Sequence, residues 1–193
     1  MRERACMRTS AQMALSALLV IVGLASCASI QRDARGPSPA KNDIGTPLCE
    51  EALAAWNIDI APDGRGLPAG SGDVATGARV FAAKCAACHG AHGEGGLGDA
   101  LVDGQGTLSS AKPKRTVGSY WPYATTLFDY IRRAMPYNAP ESLSADEVYA
   151  LSAFLLNRNG IVPADARLDA ASLPRVAMPN RDGFVPDPRP GRL

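Results

Sequence analysis

Five residues, Cys85-Ala86-Ala87-Cys88-His89, limit what this chain can fold into more than any other stretch. The two thiols and the imidazole that follows them lie at the end of DVATGARVFAAKCAACHG, whose apolar residues Val74, Ala78, Phe81 and Ala82 recur at helical spacing. Asp73 stands where a helix N-cap belongs. Three chemistries use such a cysteine pair. A thioredoxin-like dithiol follows a strand in an α/β pattern, which the sequence lacks. Zinc needs a second close pair of ligands, and none occurs. The third is one covalently bound haem c: the thiols add across the two vinyl groups, and His89 is presented to the iron as proximal ligand.

The chain has 193 residues, 46% of them hydrophobic and 20% charged, which suits one compact domain of about 100 residues with appendages. Its formal net charge of +1 points to neither nucleic acid nor a polyanionic surface. Arg2, Arg4 and Arg8 precede the apolar run AQMALSALLVIVGLA, which stops at Ser26-Cys27, the layout of an export signal. No other apolar run is long enough to span a bilayer. Leu24-Ala25-Ser26-Cys27 resembles a bacterial lipobox. That resemblance implies a lipoprotein signal peptide at 1–26, lipid on Cys27, and a periplasmic protein whose only membrane attachment is the lipid. An ordinary cleaved signal or an uncleaved anchor is the alternative. Haem c is attached outside the bacterial cytoplasm, so each version agrees with the motif.

Residues 27–72, rich in Pro, Gly and Asp, read as a tether and strap, with EEALAAWNIDI as a short ordered piece. Cys49 within it reads as a buried or strap thiol, or as half of an intermolecular disulfide. The domain proper spans 73–160. Glycines at 90, 93, 95, 96, 98, 104 and 106 make the segment after His89 a loop able to pass close to a flat ligand. TTLFDYIRRAM predicts a second helix with Leu127, Phe128, Tyr130 and Ile131 on its apolar side, ended by Pro136. SLSADEVYALSAFLLNRNG predicts a third: Ser144 and Glu147 form a capping box, Val148, Leu151, Phe154 and Leu155 face inward, and Gly160 stops it. Residues 161–193 form a proline-rich tail extended over the domain. No β-alternation appears. The fold class is all-α, with too little apolar core of its own.

Removal of the signal leaves Met135, in AMPYN, and Met178, in AMPN, as the two methionines able to bind the opposite face of a haem. His92 follows His89 too closely to reach that face. A helix running into C-x-x-C-H, a loop with a methionine and a final helix resemble a class I cytochrome c, whose N- and C-terminal helices cross around the haem. Gly77 and Phe81 match that family's N-terminal helix, and Leu151, Phe154 and Leu155 its C-terminal one. The resemblance implies Met135, before the final helix and followed by proline, as the second axial ligand; Met178 and an open iron remain the alternatives.

The flanks WNIDIAPDGRGLPAGSGDVATGARVFAAKCAACHGAHGEGG, VGSYWPYATTLFDYIRRAMP, SLSADEVYALSAFLLNRNGI and AMPNRDGF narrow the resemblance. They are similar to the cytochrome c subunit, SoxD type, of bacterial sulfur and sulfite dehydrogenases. The similarity implies an electron acceptor for a molybdopterin catalytic subunit, passing electrons to a downstream cytochrome c or terminal oxidase and not itself a catalyst. It departs from some members in carrying one C-x-x-C-H and a lipobox. A freestanding lipid-anchored carrier and an open-site haem enzyme or gas-binding protein are the other readings. Tyr120, Trp121 and Tyr123 offer ring donors for haem propionates, or simple packing. Lys112, Lys114, Arg115, Arg132 and Arg133 could pair with propionates or an acidic partner, or form a solvated face.

Overall fold

A computed structural model describes residues 48–54 and 56–186. The signal segment, Cys27 and most of the tether lie outside them. The chain divides into two compact units, 1–57 and 58–193. The described part of the first holds one short helix, α1 (Glu50–Ala54), opened by two glutamates that suit the positive end of its dipole. Just before it, Cys49 is disulfide-bonded. This corrects its reading as a thiol.

The second unit is built around two crossed helices, α2 (Val74–Lys84) and α5 (Ala145–Arg158). Asp73 leaves the chain extended and accepts the Thr76 N–H at 2.7 Å, so α2 begins on a satisfied donor. At α5 the Ser144 hydroxyl accepts the Glu147 N–H at 3.3 Å while the Glu147 carboxylate accepts the Ser144 N–H at 2.9 Å. The same Glu147 meets Lys84 Nζ at 2.7 Å, which ties the end of one helix to the start of the other. Gly160, at φ 68°, supplies the left-handed turn that ends α5.

The crossing depends on Gly77. A Cβ there would collide with the Ala150 carbonyl and stand 2.7 Å from the Phe154 Cβ. With only hydrogen at that point the backbones approach closely, and Phe81 and Phe154 stack beside the crossing with ring centroids 5.1 Å apart. The small apolar core expected from the sequence is larger than the pattern implied. Val148, Tyr149, Ala150, Leu151, Ser152, Ala153, Leu155 and Leu156 are all buried, so α5 is enclosed around most of its girth. Each large apolar side chain so buried contributes roughly 1.5–3 kcal/mol.

A third helix, α4 (Ala124–Ala134), lays Leu127, Phe128 and Ile131 on α5, and Phe128 meets the Tyr149 ring at 4.4 Å. Tyr130, expected on that apolar side, is instead half exposed at 50% and packs edge-on to Trp121. It falls at the border of the stripe, where an amphipathic ring can keep its hydroxyl wet. The Tyr149 hydroxyl donates to the Pro68 carbonyl at 2.9 Å, and Arg133 joins Asp129 of its own helix to Asp59 at 3.1 Å. These contacts hold residues 59–68 against the helices.

The expectation of a purely helical domain needs one correction. β1 (Ser71–Asp73) pairs antiparallel with β2 (Arg167–Asp169), matching Ser71 with Asp169 and Asp73 with Arg167. Three-residue strands are too short to show alternation, and the pairing is made by backbone groups, which leave no mark in composition. The ladder sets the tail beside the start of α2, and Leu168, Leu173 and Met178 are buried in the core. Among the described residues no helix is long and apolar enough to cross a membrane.

Candidate functional site

The helix α2 gives way at Cys85, whose φ of −123° is outside helical geometry although its N–H still donates to Phe81 O at 2.9 Å. A single further turn, α3 (Ala86–His89), follows. Both the Cys88 and the His89 N–H groups donate to the Cys85 carbonyl, at 3.1 and 3.0 Å. This tight turn leaves Cys85 half-buried against the core, Cys88 exposed and His89 half-buried beyond them. Burial pushes the Cys85 thiol up to about 11, outweighing the nearby Lys84 charge, so the site favours an uncharged sulfur. A thioether is such a sulfur.

The loop after α3 folds back over the imidazole. His89 Nδ1 lies 2.8 Å from the Asp99 carbonyl, so it donates there, which leaves Nε2 as the nitrogen available to a metal. The Gly95 N–H donates to His89 O and the Gly98 N–H to Cys88 O, both at 2.8 Å. Gly98 is the point of closest approach: a Cβ there would stand 2.8 Å from His89 Cε1 and 3.0 Å from Nδ1. Gly95, at φ 102°, lets the loop reverse just before it.

Across the same core, Met135 ends α4. Its N–H makes the last helical bond to Ile131 O at 3.1 Å, and its φ of −121° and ψ of 148° turn the chain out of the helix ahead of Pro136. Met135 is half-buried against the core cluster that also borders Cys85, Ala86, Leu101 and Trp121. Met178 is 3% exposed and lies inside that cluster. His92 is exposed, its N–H donating to Glu94 Oε2 at 2.7 Å.

The aromatic and basic residues separate. Trp121 is half-buried beside Tyr130, whereas Tyr120 is 37% exposed, edge-on to Phe184 and covered by the Arg115 guanidinium at 5.5 Å. Arg181 of the tail lies over the Tyr123 ring at 4.7 Å. Lys114 is paired with Asp103 at 3.3 Å, and Arg133 with Asp129 and Asp59. Three of the basic groups are therefore engaged within the domain.

The donor chemistry fits a covalently held haem. It offers two thiols in one turn, an imidazole whose Nδ1 is already bonded, and a glycine, Gly98, where any side chain would press on that ring. The orienting role of Asp99 was not legible in the sequence, because every residue carries a carbonyl. Gly98 did leave a signal, as one of the glycines after the motif.

Residues 72–155 match the family model described as cytochrome C oxidase, cbb3-type, subunit III. A chain of the crystal structure of the sulfane dehydrogenase SoxCD from Paracoccus pantotrophus is 45% identical to this one, with a TM-score of 0.71. That likeness covers 77% of this chain and 74% of that one. No curated protein matches.

Proposed function

Because the chain belongs to the class I c-type cytochromes of the SoxD type, electron carriers with covalently bound haem c, we propose that it is the electron-accepting subunit for a molybdopterin sulfite or sulfur dehydrogenase. The single observation that carries this reading is the 45% identity to a SoxCD chain across about three-quarters of both molecules. A shared C-x-x-C-H alone would not reach so far.

In this reading Cys85 and Cys88 would hold one haem through thioethers, His89 Nε2 and the Met135 sulfur would bind its iron, and Trp121 and Tyr120 would border its pocket. Haem c, when bound, would supply a one-electron ferric/ferrous couple, and a thioether donated by Met135 would raise its potential. The chain's own part is to hold that couple still. The Asp99 carbonyl orients His89, Gly98 lets the loop lie against the imidazole without a clash, and Cys85, Leu101 and Met135 give the site an apolar border. With His89 and Met135 both given to the iron, the chain would transfer electrons and leave substrate chemistry to its partner.

The domain limits proposed are a lipoprotein signal at 1–26, a tether and strap at 27–72, the haem domain at 73–160 and the tail at 161–193. Cys27 carries the lipid, so the carrier works in the periplasm at a membrane surface, delivering electrons to a downstream cytochrome c or terminal oxidase. Mixing the oxidised holoprotein with sulfite and a molybdopterin sulfite dehydrogenase tests the central point. Rapid appearance of the reduced haem spectrum is expected, and a haem that stays oxidised would sink the assignment.

A further inference from the structure

Asn159 caps the C-terminal end of α5 and is 8% exposed. Its side-chain amide donates to Leu155 O at 2.8 Å and to Leu101 O at 3.1 Å, and its own carbonyl accepts from Gln105 Nε2 at 2.8 Å. The side-chain oxygen, by contrast, is buried with no hydrogen-bond partner. A buried carboxamide that leaves its oxygen unsatisfied is costly, so the position is explained by its two donors.

Ending the helix does not require both. Gly160 already turns the chain at φ 68°, and the Ile161 N–H caps Leu156 O at 2.9 Å. The donor to Leu101 instead reaches the loop that carries the His89 partner. Leu101 lies two residues beyond Asp99, and its N–H donates to Gly93 O at 2.8 Å. On the other side of Asp99, the Gly98 N–H is anchored on Cys88 O at 2.8 Å. The Asp99 carbonyl thus hangs between two fixed points, one belonging to the C-x-x-C-H turn and the other to Asn159. A third segment steadies the amide: a Cβ on Gly118 would collide with Asn159 Oδ1 and stand 2.6 Å from its Cγ.

We propose that Asn159 is a positioning residue for the proximal ligand: by holding the Leu101 carbonyl it sets the Asp99 carbonyl against His89 Nδ1 and so tunes the haem potential. The proposal rests on the reading of His89 as an iron ligand. A hydrogen bond from Nδ1 to a carbonyl makes the imidazole a stronger donor and favours ferric iron. Loosening that bond raises the potential.

The test compares wild-type holoprotein with Asn159→Asp, which keeps the shape but turns an oxygen toward two carbonyls. Paramagnetic proton NMR follows solvent exchange of the His89 Nδ1–H, and voltammetry gives the potential. The expected result is exchange faster by roughly tenfold, the scale of one lost hydrogen bond, together with a higher potential. Unchanged exchange and potential alongside a lower melting temperature would reduce Asn159 to a helix cap and overturn the proposal. If that variant yields no folded holoprotein, Gly118→Ala displaces the amide without changing its chemistry. The same two shifts are expected of it, and their absence overturns the idea. Absence of any hyperfine-shifted His89 Nδ1–H in the wild type would instead remove the His89 assignment, and the proposal with it.

Discussion

The two sides of the proposed iron site are held in different ways. Around His89, the thiols, the imidazole and the collar come from one run of residues, 85–99, and every turn is bonded: Cys85 O takes two N–H groups, Asp99 O takes Nδ1, and Gly98 lies against the ring. Around Met135, the backbone makes one helical bond and the side chain rests on apolar neighbours from distant segments. A polar collar fixes an angle, because hydrogen bonds are directional. An apolar shelf fixes only a distance range, because packing is not. The histidine side should therefore tolerate little change, whereas the methionine side depends on how well α4 is seated.

The largest effect that tests this contrast comes from the two methionines. Met135→Ala should abolish the weak red absorption band of thioether-ligated ferric haem and lower the potential by part of the roughly 0.8 V range that axial ligands command. Met178→Leu, a volume-conserving change in the core, should leave the band intact and cost less than about 1.5 kcal/mol. A band that survives Met135→Ala but vanishes with Met178→Leu would exchange their roles.

Gly98→Ala should have the next largest effect. Its Cβ would press on His89 Cε1 at 2.8 Å, so the loop must move or the imidazole must turn. Overpacking of this kind costs about 1–3 kcal/mol, and the yield of holoprotein and its melting temperature should both fall. A variant as stable as the wild type, with the same His89 proton shift in NMR, would show that the collar is softer than its hydrogen bonds imply.

The smallest effect is remote from both ligands and acts on the helix crossing that carries them. The Lys84 ammonium, followed by the Ser144 N–H, holds the Glu147 carboxyl below its ordinary value of 4.5. A lowered folded value means that the stabilisation is complete above about 4.5 and is lost as pH falls through the folded value. Glu147→Gln, which keeps the capping oxygen but removes the charge facing Lys84, should lower stability by roughly 0.5 kcal/mol near neutral pH, the scale of an exposed ion pair, with the gap to wild type closing in acid. Urea melts at several pH values would measure this. A gap that does not change with pH would assign the effect to the cap alone.

Much of this could be read before any coordinates. The helix ending in C-x-x-C-H, the Asp73 cap, the Ser144 and Glu147 box and the Gly77 crossing are local or periodic features, and they stand as expected. The β1–β2 ladder was hidden because it is made by backbone groups of residues 71–73 and 167–169. The sequence leaves open whether Cys49 is a thiol or disulfide-bonded, because cysteine pairing depends on geometry, not spacing. Tyr130 lay at the edge of an apolar stripe, where periodicity alone cannot separate a buried ring from a half-exposed one.

By itself the sequence determined which atoms are available to a haem: two thiols one turn apart, an imidazole beside them, and two methionines, because covalent spacing and residue chemistry are properties of the chain. Tertiary structure decided what surrounds those atoms. It put the Asp99 carbonyl on His89 Nδ1, buried Met178 in the core and left Met135 at its border, and brought Asn159 from the far end of α5 to Leu101. Each of these is a meeting of groups remote in sequence or silent in composition, and only packing makes them neighbours.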